Sequence, residues 1–215
     1  MKRFVLAMAI AVLGCGVSAQ VVMTPAARTI NAGKAEVTCL AIAPKGDRIL
    51  VGTSSGAALY DIEKGKRVAE FPYNEDGSTV VYHATFNDNG EFVVLIGFAG
   101  TREVWDVKDG KQDKVIAKHR WIPDAIRTRE LGLKKGNSAF DRFYQQAEAT
   151  EGAITARAGK DGVVVFTDKD GNALQTLSYP ANKDQHHRAP CLFHNGQFIT
   201  GTDNGQVLFY DLAKH

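Results

Sequence analysis

Few residues in this chain have the types and spacing to do chemistry, and each group implies a different reaction. Gly52-Thr53-Ser54-Ser55-Gly56 carries the Gly-x-Ser-x-Gly spacing of a hydrolase nucleophile. That chemistry needs a strand-to-helix turn that strains the Ser outward. Here strand-like residues flank the segment on both sides, so it reads as a hairpin. Asp168, Asp170 and Asn172 hint at a calcium loop, but Gly171 comes too early and Tyr179 stands where the twelfth-position Glu belongs. "GLKKGNS", 132–138, lacks the spacing and Lys-Ser order of a phosphate loop. His119, His186 and His187 are donors suited to a transition metal. No acidic or Cys ligand is spaced with them, and adjacent His on an extended chain point apart. The expectation is therefore a protein that is not an enzyme and has no metal or cofactor. Binding chemistry remains. Arg120-Trp121 opens a basic stretch with Arg127, Arg129, Lys134, Lys135 and Arg142 against Asp124, Glu130 and Asp141. Trp and Arg are enriched where binding energy concentrates. His187 and Arg188 close a second segment, "PANKDQHHR", 180–188.

The elements that must position these residues are strands. "VTCLAIAPKGDRILVGTSSGAALYDIEKGK", Val37 to Lys66, reads as strands separated by Gly turns. The layout recurs from Val80, from Phe143 and from Ala189, at spacings of 43, 63 and 46 residues. Short β-branched runs such as Ile49-Leu50-Val51 and Phe92-Val93-Val94-Leu95-Ile96 are bounded by Gly-containing turns that suit tight hairpins. Two of the spacings are near the ~40–45 residues of a four-stranded propeller blade. A lone sheet cannot bury both faces, and stacking sheets about an axis solves this. The fourth unit has three strands, and Val21 to Ile30 is expected to supply its outer strand.

"VTCLAIAPKGDRILVGTSSGAALYD", "FNDNGEFVVLIGFAGTREVWD" and "QFITGTDNGQVLFYD" resemble the WD-repeat family of β-propellers. Trp105-Asp106 is a true WD pair, Tyr60-Asp61 and Tyr210-Asp211 are softened forms, and the third unit ends "VFTD". The family's Gly-His pair is absent. The resemblance implies an all-β fold, a small propeller of four WD-like blades, whose last blade the N-terminal strand closes. It also divides the turns between two faces. One face collects Ser54-Ser55-Gly56, Ala99-Gly100, Lys160-Asp161, Asp203-Asn204 and the segments 72–79, 118–142 and 180–188. The long spacing comes from 118–142, so a protein or peptide partner is expected on that face, held by Arg120, Trp121, Arg127, Arg129, His187 and Arg188. The alternatives are a small enzyme or metal-binding propeller, and a half-ring subunit of a larger assembly.

Lys2 and Arg3 followed by the apolar run Phe4 to Leu13 read as a secretory signal peptide over 1–19, too short to span a membrane. Val17 and Ala19 suit cleavage before Gln20. "VLGC" instead resembles a bacterial lipobox and would put a lipid tether on Cys15. Either way the chain is expected in the periplasm or cell envelope, in the second case anchored to the outer membrane. The chain has 26 basic and 24 acidic side chains; without Lys2 and Arg3 it is neutral, which disfavours a nucleic-acid partner. The mature domain, 20–215, is expected to be a monomer or homodimer without a transmembrane span. An exported compartment permits a Cys39–Cys191 disulfide, and units one and four would be neighbours in a closed ring.

Overall fold

The structure, a computed structural model, describes residues 20–98, 100–114, 146–159, 163–178 and 189–213. The described residues form an all-β arrangement of four antiparallel sheets. The first sheet contains β2 (Val37–Ile42), β3 (Arg48–Thr53), β4 (Gly56–Asp61) and β5 (Arg67–Phe71), in that order. The second contains β6 (His83–Phe86), β7 (Phe92–Ile96) and β8 (Arg102–Asp106). The third contains β9 (Glu148–Glu151), β10 (Ile154–Ala158), β11 (Val163–Thr167) and β12 (Ala173–Ser178). The fourth contains β13 (Cys191–His194), β14 (Gln197–Gly201) and β15 (Gln206–Asp211), and its outer strand is β1 (Arg28–Asn31). The expected N-terminal closure of the last sheet is therefore present: Arg28 to Asn31 pair antiparallel with Phe209 to Gln206, and Val22 bridges to Leu212. Gln175 on β12 also clasps the segment, accepting from the amides of Val21 and Val22 at 2.7 and 2.8 Å. The second unit is shorter than expected. Its outer strand appears only as a bridge between Trp105 and Gln112.

Strand alternation explains the packing. On β2, Cys39 and Ala41 face the second sheet while Leu40 and Ile42 face the fourth. On β15, Val207 and Phe209 face the first sheet while Leu208 and Tyr210 face the third. Three apolar layers result. They join the second sheet to the first, the first to the fourth, and the fourth to the third. Phe166 and Phe198 are fully buried in the last of these, edge to face at 5.0 Å, and each such side chain contributes on the order of 1.5–3 kcal/mol by burial. A fourth, smaller cluster of Val94, Ile96 and Val104 lies on the far face of the second sheet. Among the described residues no apolar cluster joins the second and third sheets.

The same alternation keeps the two cysteines apart. Cys39 faces the layer with the second sheet and Cys191 the layer with the third, with the Leu40–Leu192 layer between them. Both thiols are free and buried, so the pairing that an exported compartment permits is not formed. Being neighbours as sheets does not make two residues neighbours when their side chains leave opposite faces.

The repeat's Asp residues hold turns. Asp61 accepts from the Lys64 amide at 2.7 Å, and Asp106 from the amides of Lys108 and Asp109 at 2.7 and 3.2 Å. In the third unit Asp168 accepts from the amides of Asp170 and Asn172 and from the Asn172 side chain. The bonds from Asn172 hold its carboxyl below the usual carboxylate range. Asp168 is thus committed to its own turn. The aromatic residue before each Asp packs back on the neighbouring sheet: Tyr60 on the fourth, Trp105 on the first beside Phe71, and Tyr210 on the third.

Candidate functional site

The turns between the second and third strands of the sheets lie at one end, termed the upper face. Gly52–Gly56 is a strand-to-strand hairpin there, with no helix behind Ser54. Thr53 governs it: its hydroxyl donates to the Gly56 carbonyl at 2.9 Å and accepts from the Ser55 amide at 3.1 Å. Thr202 caps the corresponding turn of the fourth sheet by accepting from the Gln206 amide at 3.1 Å. In the second sheet Phe98 stands where these threonines stand, and a phenyl ring cannot cap a turn. Glu75 does so from outside. The carboxylate of this buried residue accepts from the Thr101 amide at 2.8 Å, and Tyr73 donates from its hydroxyl to the Thr101 carbonyl at 2.7 Å. Burial, then the Glu75 charge, pushes the Tyr73 hydroxyl pKa well up, so it stays a donor. The tie is close, since a Cβ at Gly97 would lie 2.3 Å from the Glu75 carboxylate. With its turn held by other residues, Phe98 projects from the surface, 60 % exposed, edge-on to Tyr82 at 6.0 Å.

Gln146 joins the innermost strands of three sheets. Its side chain accepts from the Leu40 amide at 3.3 Å and lies 3.1 Å from His83 Nδ1, while its carbonyl accepts from the Cys191 amide at 2.6 Å. This ties together the chain ends of the first, second and fourth sheets at the point where the third begins. Burial pushes the thiols of Cys39 and Cys191 up to about 12, which keeps both protonated and unreactive near neutral pH. Among the described residues no three His, Cys, Asp or Glu are placed to hold a metal ion.

Arg120, Trp121, Arg127, Arg129, His187 and Arg188 lie outside the described residues, as do His119, His186, Cys15, Ala99, Lys160 and Asp161. Their flanks are described. Gln112 and Asp113 return alongside β8 toward the upper face, and Gln146 leads into β9 from that face. Sequence reasoning missed Phe98, Glu75 and Gln146. A signal existed only for the first: an aromatic residue in a turn whose counterparts carry Thr.

No family model matches the chain, and no curated protein matches it. Among solved structures it is similar to the computationally designed Ika8 protein, at 20 % identity over 81 % of this chain and 45 % of that one, with a TM-score of 0.30. It is also similar to U3-55K, at 10 % identity over 85 % of this chain and 54 % of that one, with a TM-score of 0.37. The chain spans about half the length of each. No helix among the described residues is long and apolar enough to cross a membrane.

Proposed function

We propose that the four sheets are blades of a small WD-like β-propeller. It acts as a non-catalytic scaffold in the cell envelope and holds a protein or peptide partner on the upper face, where 118–142 is inserted. The observation that carries this reading is Phe98. The second sheet gives up the threonine cap used in the first and fourth sheets, draws in Glu75 as a substitute, and presents a phenyl ring to solvent. Structural economy alone gives no reason for that exchange, whereas exposed aromatics beside basic segments are favoured binding anchors. Arg120 and Trp121 belong to the connection that leaves and rejoins the same face, which supports a shared surface. The test is recovery of co-purifying proteins from the native cell envelope with the unmodified chain, with Arg120→Ala/Trp121→Ala and with Phe98→Ala. Loss of the same partner in both variants is expected, and its unchanged recovery from both would remove the reading.

Among the described residues no apolar layer joins the second and third sheets, and this supports a second reading, in which the chain is a half-ring completed by another subunit. The native mass separates the two: a monomer supports the free scaffold, and a stable dimer supports the composite ring.

A further inference from the structure

In an Asn-Gly pair the glycine nitrogen can close on the asparagine side-chain carbon, because no Cβ crowds its approach. The chain has three such pairs: Asn89-Gly90, Asn195-Gly196 and Asn204-Gly205. The fold treats them differently, and two are held. Asn89 accepts from the Glu91 amide at 3.0 Å and donates to the Glu91 carboxylate at 2.8 Å, while the Gly90 N–H donates to the Asn87 carbonyl at 3.0 Å. The Gly205 N–H donates to the Thr202 carbonyl at 3.2 Å, and Gly205 is buried, with a Cβ there only 2.7 Å from the Gly33 carbonyl oxygen. The described Asp-Gly pairs are held in the same way: the N–H groups of Gly77, Gly110 and Gly171 donate to Asn74, Asp106 and Asp168. Asn195 and Gly196 are open. They form the two-residue turn between β13 and β14, both exposed and both at positive φ, 49° and 72°. Among the described residues neither the Asn195 side chain nor the Gly196 N–H has a hydrogen-bond partner, and a Cβ on Gly196 would meet nothing within 4 Å. The Gly196 carbonyl, by contrast, is engaged. It accepts from the Leu212 amide at 2.9 Å, beside the last pairings of the N-terminal segment, where Val22 bridges to Leu212 and the Ala213 amide donates to the Val21 carbonyl at 2.8 Å.

We propose that Asn195 is a site of spontaneous deamidation, and that its isoaspartate product loosens the N-terminal closure of the fourth sheet. The Gly196 nitrogen attacks Cγ of Asn195 when the turn tip opens, a local event that exposed chain undergoes at little cost. A C–N bond forms, the Gly196 nitrogen gives up its proton to solvent, and Nδ2 takes up a proton and leaves as ammonia. Water is the only other reactant. It opens the cyclic imide at either carbonyl, giving aspartate or isoaspartate with no change of oxidation state. Aspartate keeps the backbone path and suits this turn. Isoaspartate routes the main chain through the former side chain and lengthens it by a carbon, which a two-residue turn cannot absorb without losing its register. The Gly196 carbonyl then leaves the Leu212 amide, and the Val22 bridge beside it loses its support. The site is independent of the upper-face reading.

The test incubates the full chain at mildly alkaline pH and follows the three Asn-Gly peptides by mass spectrometry, with aspartate and isoaspartate forms separated by chromatography. In the folded chain Asn195 should convert first, and Asn89 and Asn204 at least about fivefold more slowly, because their bonds must break before attack. In urea, where those bonds are gone, the three rates should converge. Hydrogen exchange at the Leu212 and Ala213 amides reads the consequence. It should quicken at least about fivefold in the isoaspartate form and keep its original rate in Asn195→Asp, which adds the charge without lengthening the chain. Asn195→Gly retains a residue suited to positive φ, so the turn survives, and this variant should hold its exchange rates through the same incubation. Equal rates at the three sites in the folded chain, faster conversion at Asn89 or Asn204, or unchanged exchange in the isoaspartate form would each overturn the proposal.

Discussion

Gly52 offers a direct test of how the sheets are held against one another. It pairs with Cys39 across β2 and β3, and a Cβ placed on it would lie 2.2 Å from the Cys39 sulfur and 3.2 Å from Val81. Ordinary carbon contacts sit at about 3.5–4.0 Å, so the sulfur must retreat by more than 1 Å inside a layer where it is fully buried. Overpacking of this kind costs about 1–3 kcal/mol. The lower entropy of an unfolded chain with Ala in place of Gly returns about 0.5–1 kcal/mol. Gly52→Ala should therefore destabilise by about 1 kcal/mol, or about 2–4 °C in Tm at the ~2–4 °C per kcal/mol typical of this chain length. Cys39→Ala removes the obstructing sulfur and by itself should cost about 1 kcal/mol in lost burial and cavity. If the sulfur is the obstacle, the double variant should cost about as much as Cys39→Ala alone. That is a coupling of about 1 kcal/mol in a double-mutant cycle. Urea unfolding followed by intrinsic fluorescence measures all four proteins. Costs that add to within about 0.5 kcal/mol would refute the reasoning, because the two positions would then not be touching through that layer.

Other outcomes follow from burial and charge. Cys39 and Cys191 have thiols pushed from 9.0 up to about 12 by burial, so the unfolded chain loses these protons first as pH rises. Stability should be unaffected by them below about pH 9 and fall between about 9 and 12, by up to about 1.4 kcal/mol per pH unit for each thiol; a urea midpoint that stays level from pH 8 to 10.5 would contradict this. Phe166→Ala should cost about 3–5 kcal/mol because its ring is fully buried against Phe198, whereas exposed Phe98→Ala should change the unfolding free energy by less than about 0.5 kcal/mol. Ile30→Ala should cost about 2–4 kcal/mol and promote association through the uncovered β15 edge, seen as a rise in light scattering at temperatures where the unmodified chain stays clear.

Period and punctuation made the sheets legible. Ile49-Leu50-Val51 and Val207-Leu208-Phe209-Tyr210 form parts of β3 and β15, and the Gly-bounded turns fall between strands as their residues require. The three-stranded fourth unit announced a missing strand, and Arg28–Asn31 supplies it. Parity was not legible. Whether Cys39 and Cys191 leave their strands toward one layer or two depends on a register shift between Val37 and Cys39 that no local pattern betrays. Glu75 was equally hidden. Its role is to cap a turn 26 residues away in sequence, a relation set by the stacking of two sheets. Phe98 was visible as a misfit in its turn, and only the substitute cap explains how the turn survives it.

The junction between the second and third sheets carries several departures at once. Thr167 stands where the other units place Tyr60, Trp105 and Tyr210, on the face of its sheet that also carries Glu148, Thr150, Thr155 and Arg157 beside Val163 and Val165. The far face of the second sheet is apolar, with Val94, Ile96 and Val104. Packing that mixed face dry against the apolar one would strip solvent from the Glu148–Arg157 pair and the threonine hydroxyls. Gly159 is relaxed as well. Among the described residues a Cβ there would meet nothing closer than 3.5 Å, whereas at Gly52, Gly97 and Gly201 the nearest atoms would lie at 2.2–2.4 Å. The 63-residue spacing falls at the same place. Lengthening a connection costs little, about 0.6 kcal/mol per doubling, but it separates two sheets from the constraint of meeting directly. Among the described residues a polar link joins the two sheets, from Gln146 to His83 at 3.1 Å. It fixes where the third sheet begins without requiring that the two faces close.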